Sequence, residues 1–138
     1  MMRDALGPIM DAATDRLMEE FPELIAIYRF GSFGEEHERA ASDLDLAVYA
    51  GSPVPVAHLW RVAQAVAAEI GRDVDLVDLA SASTAMRAQV IHTGERVYCA
   101  DELTCETFEN YAYSSYAQLN EERRGILEDI LSRGSVYG

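Results

Sequence analysis

Gly31-Ser32-Phe33-Gly34-Glu35-Glu36-His37-Glu38-Arg39-Ala40-Ala41-Ser42-Asp43-Leu44-Asp45-Leu46-Ala47-Val48 is the stretch that decides the fold. A near-continuous apolar run, Leu24 to Phe30, leads into Gly31-Ser32, and after a polar connection Asp43 and Asp45 open a second apolar run. This pattern predicts a strand, a tight Gly-Ser turn, a loop, and a second strand with two carboxylates on one face. Successive strand side chains alternate sides, so Asp43 and Asp45 point one way while Leu44 and Leu46 enter a core. Two acids together at the edge of a buried strand repel each other, and such an arrangement persists when a cation sits between them.

Upstream, residues 8–21 read as a helix: Pro8 suits a first helical position, and Ile9, Ala13, Leu17 and Phe21 recur on one face. Pro22 ends it, because the residue before a proline is pushed out of the helical region. The first strand, 24–30, is apolar on both faces and is expected to be covered on both. Downstream, Gly51-Ser52-Pro53 with Pro55 turns into a second helix. Its expected apolar stripe is Val56, Leu59, Trp60, Ala63, Val66, Ala67 and Ile70, with Gly71 as its C-terminal cap. Residues 73–79 (Asp-Val-Asp-Leu-Val-Asp-Leu) read as a third strand. Ser81 or Ser83 caps a short helix to about His92 that Gly94 ends, and Val97-Tyr98-Cys99 is a short last strand. From about Glu102 to Ser132 the pattern is helical again, with Phe108, Tyr111, Ala112, Ser115, Leu119, Ile126 and Ile130 on one face. Gly125 is a point at which it can divide, and Gly134 is its stop. Helices alternating with short buried strands define an α/β or α+β layer domain.

The 138 residues suffice for one domain with a substantial core, and 1–138 is read as one unit with a core over 8–100 and a helical extension over 101–134. No apolar run approaches the roughly 18 residues of a transmembrane helix, and the N-terminus lacks the apolar region of a signal peptide. Cys99 and Cys105 form neither a disulfide framework nor a metal-ligand pattern, so reduced thiols in the cytoplasm are expected. With 24 acidic against 11 basic residues, the net charge of −13 argues against direct nucleic-acid binding, which rests on Lys and Arg neutralising phosphates. It is compatible with divalent metals and with a basic protein partner.

Gly-Ser, ten residues, then Asp-x-Asp sets the chain apart from a generic layer domain. At usages of about 5–7% per residue type, those four residues at that spacing arise by chance in only a few of every thousand chains of this length. The pattern resembles the nucleotidyltransferase superfamily that shares the DNA polymerase β palm fold, in its minimal single-domain branch. Residues 73–79 and Thr93-Gly94-Glu95-Arg96-Val97-Tyr98 look like that branch's third and final strands. The close resemblance, over the whole length, is to the MntA-type antitoxins, which transfer AMP from ATP to a tyrosine of a HEPN-type (HepT) ribonuclease toxin encoded beside them. It implies a small mixed sheet with flanking helices and a C-terminal helical segment, an ATP substrate and a cognate toxin partner.

Nucleotidyl transfer holds an attacking hydroxyl and a pyrophosphate leaving group in line, with two cations, expected to be Mg2+, flanking the reacting phosphorus. Asp43 and Asp45 can bridge such ions, and a third carboxylate from a neighbouring strand completes the cage. Asp75 is that third acid, chosen as a mid-strand carboxylate whose burial would be costly without a partner, whereas Asp73 and Asp78 lie nearer strand ends where solvated carboxylates are common. The family motif also places the third acid at Asp75, where it ligates metal and helps to deprotonate the incoming hydroxyl. Gly31 lets the backbone approach the triphosphate, and Ser32 can donate to a phosphate oxygen. Ser42 touches phosphate or orients Asp43 by family carry-over. One departure stands out: the family loop commonly carries a basic residue and a further glycine where this chain has Glu35 and Glu36, and Arg39 is the available source of positive charge.

His37, His58 and His92 share no metal-ligand spacing, and Tyr111, Tyr113 and Tyr116 read more readily as core or interface than as a base-stacking platform. A chain this short has little left to build a pocket for a small acceptor, which favours a protein acceptor over an aminoglycoside-type one. The reading from another class is an antitoxin that blocks its toxin by binding alone, to which metal-bridging acids would be useless.

Overall fold

Short apolar runs closed by turns become the strands, and runs with one apolar face become the helices that cover them. The computed structural model describes residues 7–31 and 44–133. In chain order the elements are α1 (Gly7–Glu20), β1 (Ala26–Phe30), β2 (Leu44–Tyr49), α2 (Val56–Ile70), β3 (Val74–Asp78), α3 (Thr84–Thr93), β4 (Glu95–Cys99) and α4 (Glu102–Ser132). The four strands form one sheet in the order β3-β2-β1-β4. β1 is antiparallel to β2 and β4, while β2 runs parallel to β3 through the α2 crossover, so the sheet is mixed.

Strand alternation divides the core between the two faces. Leu44, Leu46 and Val48 of β2 join Ile27 and Leu76 against Met10, Ala13 and Leu17 of α1 and Val62, Ala63 and Val66 of α2. On the opposite face Ala26, Tyr28, Ala47 and Leu79 pack with Val90 of α3 and Cys105 and Phe108 of α4. β1 is therefore covered on both sides, as its unbroken apolar run requires. Each fully buried Leu, Ile or Val contributes about 1.5–3 kcal/mol, and the core residues of β2 anchor the strand that carries Asp45.

The caps match the sequence closely. Gly71 takes the left-handed conformation (φ 75°) and donates its N–H to Ala67 O, and the Ser83 hydroxyl accepts the Met86 N–H at 3.1 Å. α4 is fixed to the sheet by a polar link: Tyr28 Oη donates to Glu109 Oε2 at 2.7 Å, and Arg96 pairs with both Glu109 and Glu102. Burial and the adjacent Glu109 carboxylate push the Tyr28 phenol well above its ordinary pKa, so it remains a neutral donor. Cys99 and Cys105 are free thiols whose sulfurs lie 2.9 Å apart at the β4–α4 corner, and burial pushes the Cys105 thiol up to about 12.

Three expectations are corrected. α4 is continuous through Gly125, which has no positive φ; a lone helical glycine costs about 1 kcal/mol against alanine, too little to stop a helix without a left-handed cap. Val56 and Trp60 do not join the packed stripe of α2, at 82% and 66% exposed; Val62 is buried instead, so the buried face is narrower and rotated. The face expected along the whole last helix is buried only at its start, since Phe108 and Ala112 are buried while Tyr111, Ile126 and Ile130 are exposed. Gly134 lies outside the described residues. Among the described residues no helix is long and apolar enough to cross a membrane.

Asp78 is a fourth difference. It is a buried carboxylate at 6% exposure, accepting from Val54 N (2.8 Å), Ala80 N (3.1 Å) and Ser81 Oγ (2.7 Å). It ties the turn before α2 to the end of β3, and its polar atoms are spoken for. Removing the acceptor strands three donors, so Asp78→Ala is expected to destabilise the fold by about 2–4 kcal/mol. Chemical denaturation would read this as a fall in midpoint; an unchanged midpoint would refute the structural role.

Candidate active site

The Gly31 turn and the start of β2 are brought together by the antiparallel register, in which Phe30 faces Asp45. Gly31 has φ +79°, a conformation that L side chains rarely adopt. A Cβ built there would lie 2.1 Å from Asp45 Oδ2 and 3.0 Å from its Cγ. The Asp45 carboxylate thus occupies the space that any side chain at position 31 would claim. The sequence gives Gly31 one reason, close approach of the backbone to a phosphate; the structure adds this second one.

Asp45 in turn faces Asp75 across the parallel β2–β3 ladder. Cross-strand neighbours in a sheet lie about 4.8 Å apart, so the two carboxylates stand side by side on the face that Ala47 and Val77 share. Asp45 is half-buried and Asp75 exposed. The exposure removes one of the two reasons for preferring Asp75, the cost of burial, since β3 is an edge strand; the match to the family motif is untouched by it. What distinguishes Asp75 is register with Asp45. Asp73 is exposed and precedes β3, where its carbonyl accepts the Leu44 N–H at 2.9 Å and fixes the start of β2.

Ser32, Ser42 and Asp43 lie outside the described residues, as do Glu35, Glu36, His37 and Arg39. The structure therefore brings together Gly31, Asp45 and Asp75 of the expected set. Among the described residues no three His, Cys, Asp or Glu side chains gather as a metal cluster. The Asp45–Asp75 pair itself supplies hard carboxylate oxygens on one face, the donor chemistry that Mg2+ takes in preference to softer ions. His58 packs edge-on against Phe21 with ring centroids 5.2 Å apart and belongs to another part of the surface.

Gly94 was read as a helix stop, yet it also sets the wall of the site. A Cβ there would fall 2.4 Å from Val90 O, 2.9 Å from Arg29 O and 3.2 Å from Phe30 Cβ. The end of α3 is thereby seated on the last residues of β1, one step from the Gly31 turn. The sequence signal was a glycine with two simultaneous demands, and periodicity shows only the first.

Residues 14–103 match the family described as Polymerase beta, Nucleotidyltransferase. The protein adenylyltransferase MntA of Shewanella oneidensis is 35% identical over 116 residues, which are 84% of this chain and 83% of that protein. A crystal structure of a toxin–antitoxin with AMP-PNP superimposes with a TM-score of 0.77 at 34% identity, covering 88% of this chain and 97% of the matched one. A structure of the tri-AMPylated Shewanella oneidensis HEPN toxin in complex with the MNT antitoxin gives a TM-score of 0.75 at 33% identity, over 90% and 97% of the two chains.

Proposed function

Since this chain belongs to the polymerase beta nucleotidyltransferase family, we propose that it is a protein adenylyltransferase antitoxin that moves AMP from ATP to a tyrosine of a cognate HEPN-type toxin and so neutralises it. The observation that carries the reading is the Asp45–Asp75 pair, in register on adjacent strands beside a turn whose positive φ and close approach to Asp45 favour glycine. The similarity to an adenylyltransferase and to complexes containing AMP-PNP and an AMPylated toxin supports the substrate and the partner.

The tyrosyl oxygen attacks the α-phosphorus, the bond from that phosphorus to the bridging oxygen breaks, and pyrophosphate leaves with the electron pair. Asp43, Asp45 and Asp75 would hold Mg2+, with two ions expected. Bound Mg2+ supplies charge neutralisation at the reacting phosphate and the leaving group. Asp75, exposed at the edge strand, would help to take the phenolic proton, whose pKa near 10 makes a base useful at neutral pH. Gly31 admits the phosphates to the backbone, and Ser32 and Ser42 donate to phosphate oxygens. Residues 8–100 act as the catalytic core and 101–134 as its helical extension. The protein works in the cytoplasm beside its toxin, in keeping with its free thiols.

Turnover separates an enzyme from a stoichiometric binder. A small molar fraction of this protein is expected to silence a large excess of toxin ribonuclease activity when ATP and Mg2+ are present, and to fail when EDTA removes the metal. Neutralisation that needs equal amounts of the two proteins and ignores EDTA would refute the proposal.

A further inference from the structure

Cys99 and Cys105 are the two free thiols of the chain, and the reaction scheme uses neither. Cys99 ends β4, and Cys105 stands in the first turn of α4, six positions on. The corner between them is held rigidly. Ala100 N–H donates to Ile25 O at 2.8 Å, and the Asp101 side chain caps α4 by accepting the Thr104 N–H at 3.0 Å. Asp101 O accepts the Cys105 N–H at 3.0 Å, which sets Cys105 over the end of the sheet. Its Sγ lies 3.6 Å from Ile25 O and 2.9 Å from Cys99 Sγ, within about 1 Å of the roughly 2.05 Å of a disulfide bond. The two thiols differ in access. Cys105 is fully buried, while Cys99 is half-buried and donates to Glu102 Oε2 at 3.6 Å. Burial pushes the Cys105 thiol up to about 12, so the Cys99 sulfur is the one that a small oxidant meets first.

We infer that Cys99 and Cys105 form a redox modification site, which a hydroperoxide closes into a reversible disulfide that staples the start of α4 to the end of β4. The Cys99 sulfur attacks one peroxide oxygen, the O–O bond breaks, and the alcohol (or water) leaves with the Cys99 proton, giving a sulfenic acid. The Cys105 sulfur then attacks the Cys99 sulfur, the S–O bond breaks, and hydroxide leaves with the Cys105 proton as water. Each sulfur gives up one electron, and the peroxide takes both. Closure adds a covalent tie to the Tyr28–Glu109 and Arg96–Glu109 links that already hold α4 to the sheet. Cys99 pairs with Ala26 at the start of β1, whereas Asp45 pairs with Phe30 at its end, about 13 Å away. The bridge therefore acts on stability and stands clear of the carboxylates. Such a pair stays reduced at rest in a reducing compartment and closes when oxidant rises.

The full chain is treated with hydrogen peroxide, denatured, alkylated with iodoacetamide and weighed intact, while a second portion is melted. The reduced chain is expected to take up two alkyl groups and the oxidised monomer none, with dithiothreitol restoring both. The oxidised chain is expected to melt about 5–10 °C higher, as closing a short loop predicts. In Cys99→Ser, a change at the half-buried thiol, Cys105 is expected to stay alkylatable through the same treatment and the melting shift to vanish. Two thiols that survive peroxide would overturn the inference. So would Cys99 gaining oxygen while Cys105 remains free, bridges formed only between chains, or a closed bridge that leaves the melting temperature where it was. All of these are read on this chain alone, so they stand or fall apart from AMP transfer.

Discussion

Asp45→Asn is expected to reduce AMP transfer by at least about 10³-fold, comparable to deleting one fixed electrostatic group from a transition state. The reason is positional. Asp45 is the described carboxylate that touches both halves of the site: its side chain fills the space over Gly31, and its register partner on the neighbouring strand is Asp75. Asparagine has the same shape, so the turn and the strand persist, yet it brings no negative charge to a site that must bind a cation against a triphosphate. Asp75→Asn is expected to behave alike, and because Asp75 is exposed its loss leaves stability within about 0.5 kcal/mol of wild type. Steady-state transfer rates beside denaturation midpoints read both effects. A variant that folds normally and transfers AMP at more than about a tenth of the wild-type rate would show that the wrong carboxylates have been chosen.

Gly31→Ala is the second large effect, and it dissociates stability from activity. The left-handed φ of +79° costs an alanine about 1–2 kcal/mol. The steric conflict with Asp45 Oδ2, at 2.1 Å from the built Cβ, can be relieved by swinging the carboxylate away. That relief preserves the fold at the expense of the chemistry, because a carboxylate misplaced by about an ångström can cost about 10²-fold in rate. The expected result is a modest loss of stability, with kcat down at least about 10²-fold. Near-normal kcat in Gly31→Ala would mean that the carboxylate does not need its position over the turn.

The fold was legible wherever a strong period met a strong stop. Val56–Ile70 was bounded correctly by Pro55 and Gly71, and the alternation through Leu44, Asp45 and Leu46 correctly assigned opposite faces. Errors arose where tertiary context decides. Helical spacing puts Trp60 on the apolar stripe of α2, although the rotation of α2 on the sheet turns it to solvent. Asp78 was read as a solvated strand end, and nothing local announces that a backbone N–H twenty-four residues upstream, at Val54, would close over it. The family motif points to Asp75, while the burial argument for it fails at the edge position of β3; its pairing with Asp45 follows from strand order, which periodicity cannot supply.

The central claim is covalent transfer of AMP, and the mass of the intact toxin tests it most directly. After incubation with this protein, ATP and Mg2+, the toxin is predicted to gain whole AMP units, and to gain none when Asp45→Asn replaces the wild type. A toxin that is neutralised while its mass stays unchanged would contradict the account.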